Sequence, residues 1–352
     1  MPDRMVLMDK QKAQELLAFA EDARTQLKGL EASAVLKGLE QQHEDMKSAM
    51  GSFIERGQPD QALRLATSLV PFWMARKRID EGISWLTRAL AMVGGDDVHR
   101  GHALFSKGYL AFWKGDDELS SLLQRQAVNL GRHIKDPTII ALALVGLARL
   151  AIRSDIPEAQ RLCREAMEAT EGTADRDGRS SAMHVLAVAA QMAGNFGEAR
   201  DLMRGRIKLA RETGNFATVA IESNNLSMVE RQLGNNDEAE VLALEALDIS
   251  SRRGDGLAIA WNLNGLAAAV ANRGVFERAA KLIGAADTAM KSAGGAWPPD
   301  ELVHYDRTVS SLTEALGDAE FARCREAGRS MTSADAIDFA LGKSNAPQLP
   351  PA

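Results

Sequence analysis

His184, Asn224 and Asn264 follow one another at intervals of forty residues. A carboxamide donates and accepts hydrogen bonds at once, so asparagines repeated in one register suit the backbone of an extended peptide. Arg231 stands seven residues after Asn224, two helical turns along the same face, where a planar guanidinium can hold a carboxylate through two bonds. Gln191 has the same offset from His184, and Trp261 lies three residues before Asn264. Toward the N-terminus the register passes through Val145 and Phe105, with Tyr109 and Phe112 within two turns of Phe105. With Trp73 or Trp113 beside them, these rings offer stacking and apolar burial. The candidate ligand-binding set is therefore His184, Asn224, Asn264, Arg231, Gln191, Tyr109, Phe112, Phe105 and Trp261, aromatic toward the N-terminus and polar toward the C-terminus. The alternative use of the same surface is a recruited active site in an enzyme or biosynthetic accessory protein, with His184, Arg231 and Tyr109 as acid–base groups.

Other chemistry-bearing patterns fail on spacing or context. The only cysteines, Cys163 and Cys324, form no CxxC, and no GxSxG occurs. Gly342-Lys343-Ser344 ends like a P-loop, but the earlier glycine of that motif falls on Ile337, and the segment follows a helical pattern where a P-loop follows a strand. Two ExxH pairs, Glu40 with His43 and Glu301 with His304, have the spacing used in di-iron bundles, yet they flank the whole repeat array. His99 and His102 share a helical face without a third ligand in sequence. No catalytic residue, metal ligand or cofactor is assigned.

The elements that must carry the candidate residues are written in a repeat. GNFGEAR, GNNDEAE and GVFERAA begin at 194, 234 and 274, and the same slot extends back to Ser154, Gly115 and Lys77. Five residues on, the chain has Gly82, Ser120, Ala159, Ala199, Ala239 and Ala279; a second small column holds Gly108, Ala148, Ala187, Ser227 and Ala267. Glycine suits a left-handed helix C-cap, and Asp116, Asp155 or Asn195 suits the N-cap of the next helix. Small residues in both columns let two antiparallel helices approach closely. Such pairs bury their apolar faces only by stacking, which predicts an all-α, right-handed solenoid of about six helix pairs with a period near forty. The first helix of each pair should line the concave face.

Residues 1–57 are expected to form an N-terminal helical cap, with helices over 9–29 and 33–56. The solenoid occupies 58–293 and a C-terminal helical cap 294–342, including a short helix SADAIDFALG capped by Ser333. The tail 343–352 reads as disordered. Arg200, Arg204 and Arg206 are expected on solvated outer faces, and Trp85 and Leu86 in the core.

The twelve-residue interval between the small columns is that of the tetratricopeptide repeat. RLATSLVPFWMARKRIDEGISWLTRALAM, the forty-residue repeats and FERAAKLIGAADTAMKSAGGAWPPDELVHYDRTVSSLTEALGDAEFARCREAGRSMTSADAIDFAL resemble the tetratricopeptide-like C-terminal region of large bacterial ATP-dependent transcriptional activators of the LuxR and antibiotic-regulatory-protein types. The resemblance covers roughly residues 30 to 342 and implies a sensor and interaction region that receives a peptide, small metabolite or regulator protein. The P-loop and DNA-binding domain of a complete activator have no counterpart in this sequence. A net charge of -6 and a pI near 5.7 argue against direct nucleic-acid binding. Absence of a signal-peptide pattern, of long apolar runs and of paired cysteines gives the expectation of a cytoplasmic protein with no membrane partner.

Overall fold

The computed structural model describes residues 8–297 and 299–342. Among these, every regular element is an α-helix. Three helices precede the repeats: α1 (Lys10–Gln26), α2 (Ala32–Gln41) and α3 (His43–Glu55). The helix expected over 33–56 is thus broken at Gln42 into two. Twelve helices follow in the repeats: α4 (Pro59–Ala75) pairs with α5 (Ile79–Leu90), α6 (Asp97–Lys114) with α7 (Asp117–Ile134), and α8 (Pro137–Ala151) with α9 (Ile156–Ala169). Next in the chain come α10 (Arg176–Met192) and α11 (Phe196–Glu212), then α12 (Phe216–Gln232) paired with α13 (Asn236–Arg253) and α14 (Gly256–Asn272) paired with α15 (Phe276–Ser292). The chain closes with α16 (Pro299–Leu316), α17 (Asp318–Arg329) and α18 (Ser333–Ala340).

The repeated phrase does the work expected of it. Gly115, Gly194, Gly234 and Gly274 have φ between 78° and 85°, the left-handed region where a Cβ is costly, and Lys77 adopts the same conformation at 56°. Ser154 is the exception in the slot. Asp116 and Asp155 cap α7 and α9 through their side chains, but Asn195 makes no such bond at α11. Both small columns are buried along their length, and Ser227 Oγ donates to the Ala239 carbonyl at 2.7 Å across the α12–α13 contact.

The helices group into two compact units, which divide in the turn between α10 and α11. In the first, Leu17, Phe53, Leu63, Phe72, Leu86 and Leu110 form the core. Trp73 belongs there too, at 1% exposure against Gly82, so it is not a groove residue. Val145 is likewise core, because its position on α8 points into the layer between helices. In the second unit the core runs from Leu247 and Leu263 through Ile283 to Leu312. Here α17, unforeseen as a separate helix, crosses α15 where Gly284 and Gly328 meet backbone to backbone. Asp287 of α15 ties the end together by accepting from Tyr305 at 2.6 Å, Arg325 at 2.9 Å and Arg329 at 3.0 Å. Thr332, and not Ser333, caps α18. The tail from 343 lies outside the described residues.

Candidate functional site

In the second unit α12, α14 and α16 pack in sequence, and the first two carry four candidate residues: Asn224 and Arg231 on α12, Trp261 and Asn264 on α14. Asn264 is buried and the other three are half-buried. The Oδ1 atoms of both asparagines, Nε of Arg231 and Nε1 of Trp261 are enclosed, yet none has a hydrogen-bond partner. The Asn224 carboxamide sits against the backbone of α14, its Oδ1 2.5 Å from where a Cβ on Gly265 would lie. Any residue larger than glycine there would push Asn224 aside. Buried polar groups are normally satisfied, and each orphan costs about 1–3 kcal/mol.

Charge tells the same story. The buried acids of this unit are paired: Glu222 with Arg206, Glu230 with Arg204 at 2.9 Å and Asn235 at 2.7 Å, and Glu240 with Arg273 at 2.6 Å and Arg278 at 2.8 Å. Arg206 is therefore buried in an α11–α12 ion pair, not solvated as expected from its sequence position, because Glu222 faces it from inside α12. Arg231 has no such acid among the described residues. Burial lowers its pKa, and the guanidinium of Arg307 on α16 lowers it further. Two unpaired acceptors and two unpaired donors, one of them cationic, complement a ligand that offers N–H groups and a carboxylate.

The other candidates belong to the first unit. Phe105 stacks on Tyr109 with centroids 6.1 Å apart, Trp113 meets Tyr109 and Phe112 edge-on, and all four rings lie on α6. The expected apolar patch is covered by charge: Arg149 lies 5.5 Å from the Tyr109 centroid and Arg153 5.1 Å from that of Phe112. His184 and Gln191 are half-buried on α10. The structure thus brings together two subsets, the polar four in one unit and the aromatic three in the other. Arg307 was missed because α16 falls outside the repeat alignment.

Other clusters have structural partners. Glu40 bonds Arg76 at 3.0 Å and Arg78 at 2.6 Å, and His43 Nε2 lies 2.7 Å from Glu81. Glu277, Glu320 and Cys324 have ligand atoms within 4.8 Å of one another. The Arg323 guanidinium bonds Glu320, holding its carboxyl down at about 2, while burial pushes the Cys324 thiol up. That cluster is an ion pair beside a neutral thiol.

A tetratricopeptide repeat family model matches residues 223–253, which span α12 and α13 and include Asn224 and Arg231. Proteins described as HTH-type transcriptional regulators from Mycobacterium bovis and Mycobacterium tuberculosis are 27% identical over 110 residues, 29% of this chain and 12% of theirs. The match therefore spans a small part of those regulators. Among solved structures, a Rap protein complexed with Competence and Sporulation Factor superposes with a TM-score of 0.58 at 12% identity, covering 90% of this chain and 98% of that one. A signal-transduction ATPase with a tetratricopeptide repeat sensor from Pyrococcus horikoshii gives 0.57 at 11% identity, covering 95% and 55%. BtubC from P. vanneervenii gives 0.50 at 18% identity, covering 68% and 94%. At these identities the likeness is one of fold, and with the matched repeat it makes this chain a tetratricopeptide-like helical repeat protein.

Proposed function

We propose that the chain is a non-enzymatic recognition module whose second unit binds an extended, carboxylate-bearing peptide segment, free or part of a partner protein. The observation that carries this reading is the set of four enclosed, unpartnered polar atoms on Asn224, Arg231, Trp261 and Asn264. The ligand backbone bonds the two carboxamides, and its carboxylate pairs with Arg231, with Arg307 adding positive potential. The solved Rap protein held Competence and Sporulation Factor on a similar fold, which supports a peptide as occupant. Similarity to transcriptional regulators, and the sequence-level resemblance to activator sensor regions, support a role in cytoplasmic transcriptional control.

A phage-displayed random peptide library panned on the full chain, followed by calorimetric titration of the enriched peptides, tests this. Asn224→Ala and Arg231→Gln should each weaken binding by about 1–3 kcal/mol, with the fold retained. Peptides bound at full strength by the Asn224→Ala/Arg231→Gln double variant would remove this strip from consideration.

A further inference from the structure

The first unit holds a cavity of its own. It measures about 420 Å³ and lies between α1, α4, α6 and the start of α10; a second, of about 220 Å³, adjoins it and shares Arg24, Thr67 and His102. Small-ligand pockets span about 300–1,000 Å³. The rim is closed by Lys28 in the turn after α1, which bonds both carboxylate oxygens of Asp177 on α10 at 3.0 and 2.8 Å.

The acids that line this space are already used. Asp177 is held by Lys28, and Glu21 accepts two bonds from Arg64 at 2.7 and 2.9 Å. Asp136 and Asp175 do not line the space; they cap the starts of α8 and α10 by accepting from the amides of Ile139, Asp177 and Gly178, and Asp175 keeps its Oδ2 enclosed and without a partner. Thr67 spends its hydroxyl on the Leu63 carbonyl. Arg24, His99 and His102 in the larger cavity have no carboxylate within ion-pair distance among the described residues, and Arg149 in the smaller has the face of the Tyr109 ring beside it. After burial, the nearby Arg24 is the main cause that lowers the pKa of His102; His99 adds to it, and the carboxylates of Asp136 and Asp175 pull the other way. A cavity whose lining acids are paired, and whose Arg24 guanidinium is not, has donors to offer an anion.

We infer that the two adjoining cavities form a second ligand site, one that takes a small dianion of the phosphate-ester class, held by Arg24 and His102, which line both, with Arg149 reaching it from the smaller side and His102 as a proton-dependent donor. Arginine forks match phosphate oxygens in geometry as well as charge. The site lies wholly in the first unit and does not depend on the peptide reading of the second.

Calorimetric titration of the full chain with sulfate, a dianion across the whole range, and with glycerol phosphate tests the inference at about pH 5.5 and 7.5, on either side of an ordinary histidine pKa. Saturable binding is expected for both, with sulfate about tenfold tighter at the lower pH as the His102 imidazole takes up a proton. Arg24 is exposed on α1, so Arg24→Gln should stay folded and lose about tenfold or more in affinity. His102→Gln should flatten the pH dependence. No saturable binding up to about 10 mM, a millimolar limit worth only about 3 kcal/mol, would overturn the site. Unchanged affinity in Arg24→Gln would do the same. A pH-independent wild type would overturn the part given to His102, and succinate binding as tightly as glycerol phosphate would overturn the phosphate class.

Discussion

Adding one methyl group at Gly284 is the sharpest test of how the second unit is held together. A Cβ on Gly284 would overlap the carbonyl oxygen of Arg325, and one on Gly328 would overlap that of Lys281, so neither helix has a flexible side chain that can yield. The backbone of α15 is fixed by its pairing with α14, and the strain must therefore lift α17. That helix buries Phe321 at 7% exposure and Cys324 completely. Losing most of their burial, with the imperfect packing that follows, costs about 3–5 kcal/mol. The better helix propensity of alanine returns about 1 kcal/mol, leaving Gly284→Ala less stable by about 2–4 kcal/mol. Gly51, inside α3, is the control: a Cβ there meets nothing within 4 Å, so Gly51→Ala should gain about 0.5–1 kcal/mol. Urea unfolding followed by helical circular dichroism, with hydrogen exchange reporting on α17, measures both. A Gly284→Ala protein as stable as the wild type would refute the close crossing.

Ala239→Leu should destabilise by about 1–3 kcal/mol, since the site is fully buried and its carbonyl is tied to Ser227; an unchanged melting temperature counts against the packing column. Arg231→Met should raise thermal stability by about 1–3 kcal/mol, because it removes a buried charge that no acid compensates, while it weakens peptide binding; a lower melting temperature would mean that Arg231 is paired. Burial and Arg24 lower the folded-state pKa of His102 below 6.5. The unfolded chain then binds more protons between the two pKa values, so this contribution is full above pH 6.5 and is lost as pH falls below it. Melts of wild type and His102→Gln from pH 7.5 down should diverge in that window, and parallel curves would contradict the assignment.

The repeat was legible because its turns demand glycine and its helix contacts demand small residues, and both constraints recur in fixed register. Gly234 and Ala239 announce their roles without any partner being known. That Asn224 and Asn264 lie near one another was legible for a related reason, since groups repeated at the repeat period share a face, and Arg231 and Trp261 fall within two helical turns of them. What the repeat did not reveal lies where periodicity stops. Arg307 comes from a capping helix with no column to place it, and the Gly284–Gly328 crossing joins a repeat helix to one outside the pattern. The aromatic trio does lie together on α6, but its composition says nothing of Arg149 and Arg153 arriving from the next pair. Arg206 misled as well, because burial of its partner Glu222 depends on a neighbouring helix.

Gly214 and Gly254 close successive pairs with φ of 66° and 67°, forty residues apart, and the turns at Gly194, Gly234 and Gly274 keep the same step. Removing or duplicating the segment between two such glycines would rejoin like turns to like turns and bring a first helix against a second helix of the same build. A gene of this kind can therefore change length by copy number, one pair at a time, without founding a new core. On the proposed reading, each copy gained or lost would also add or delete one recognition position, as the pair holding Asn224 and Arg231 would be lost while Trp261 and Asn264 stayed. The length of the array is thus open to the same slippage that lengthens any tandem repeat, most readily where the forty-residue step is kept and less so around Lys77 and Gly115, where the step differs.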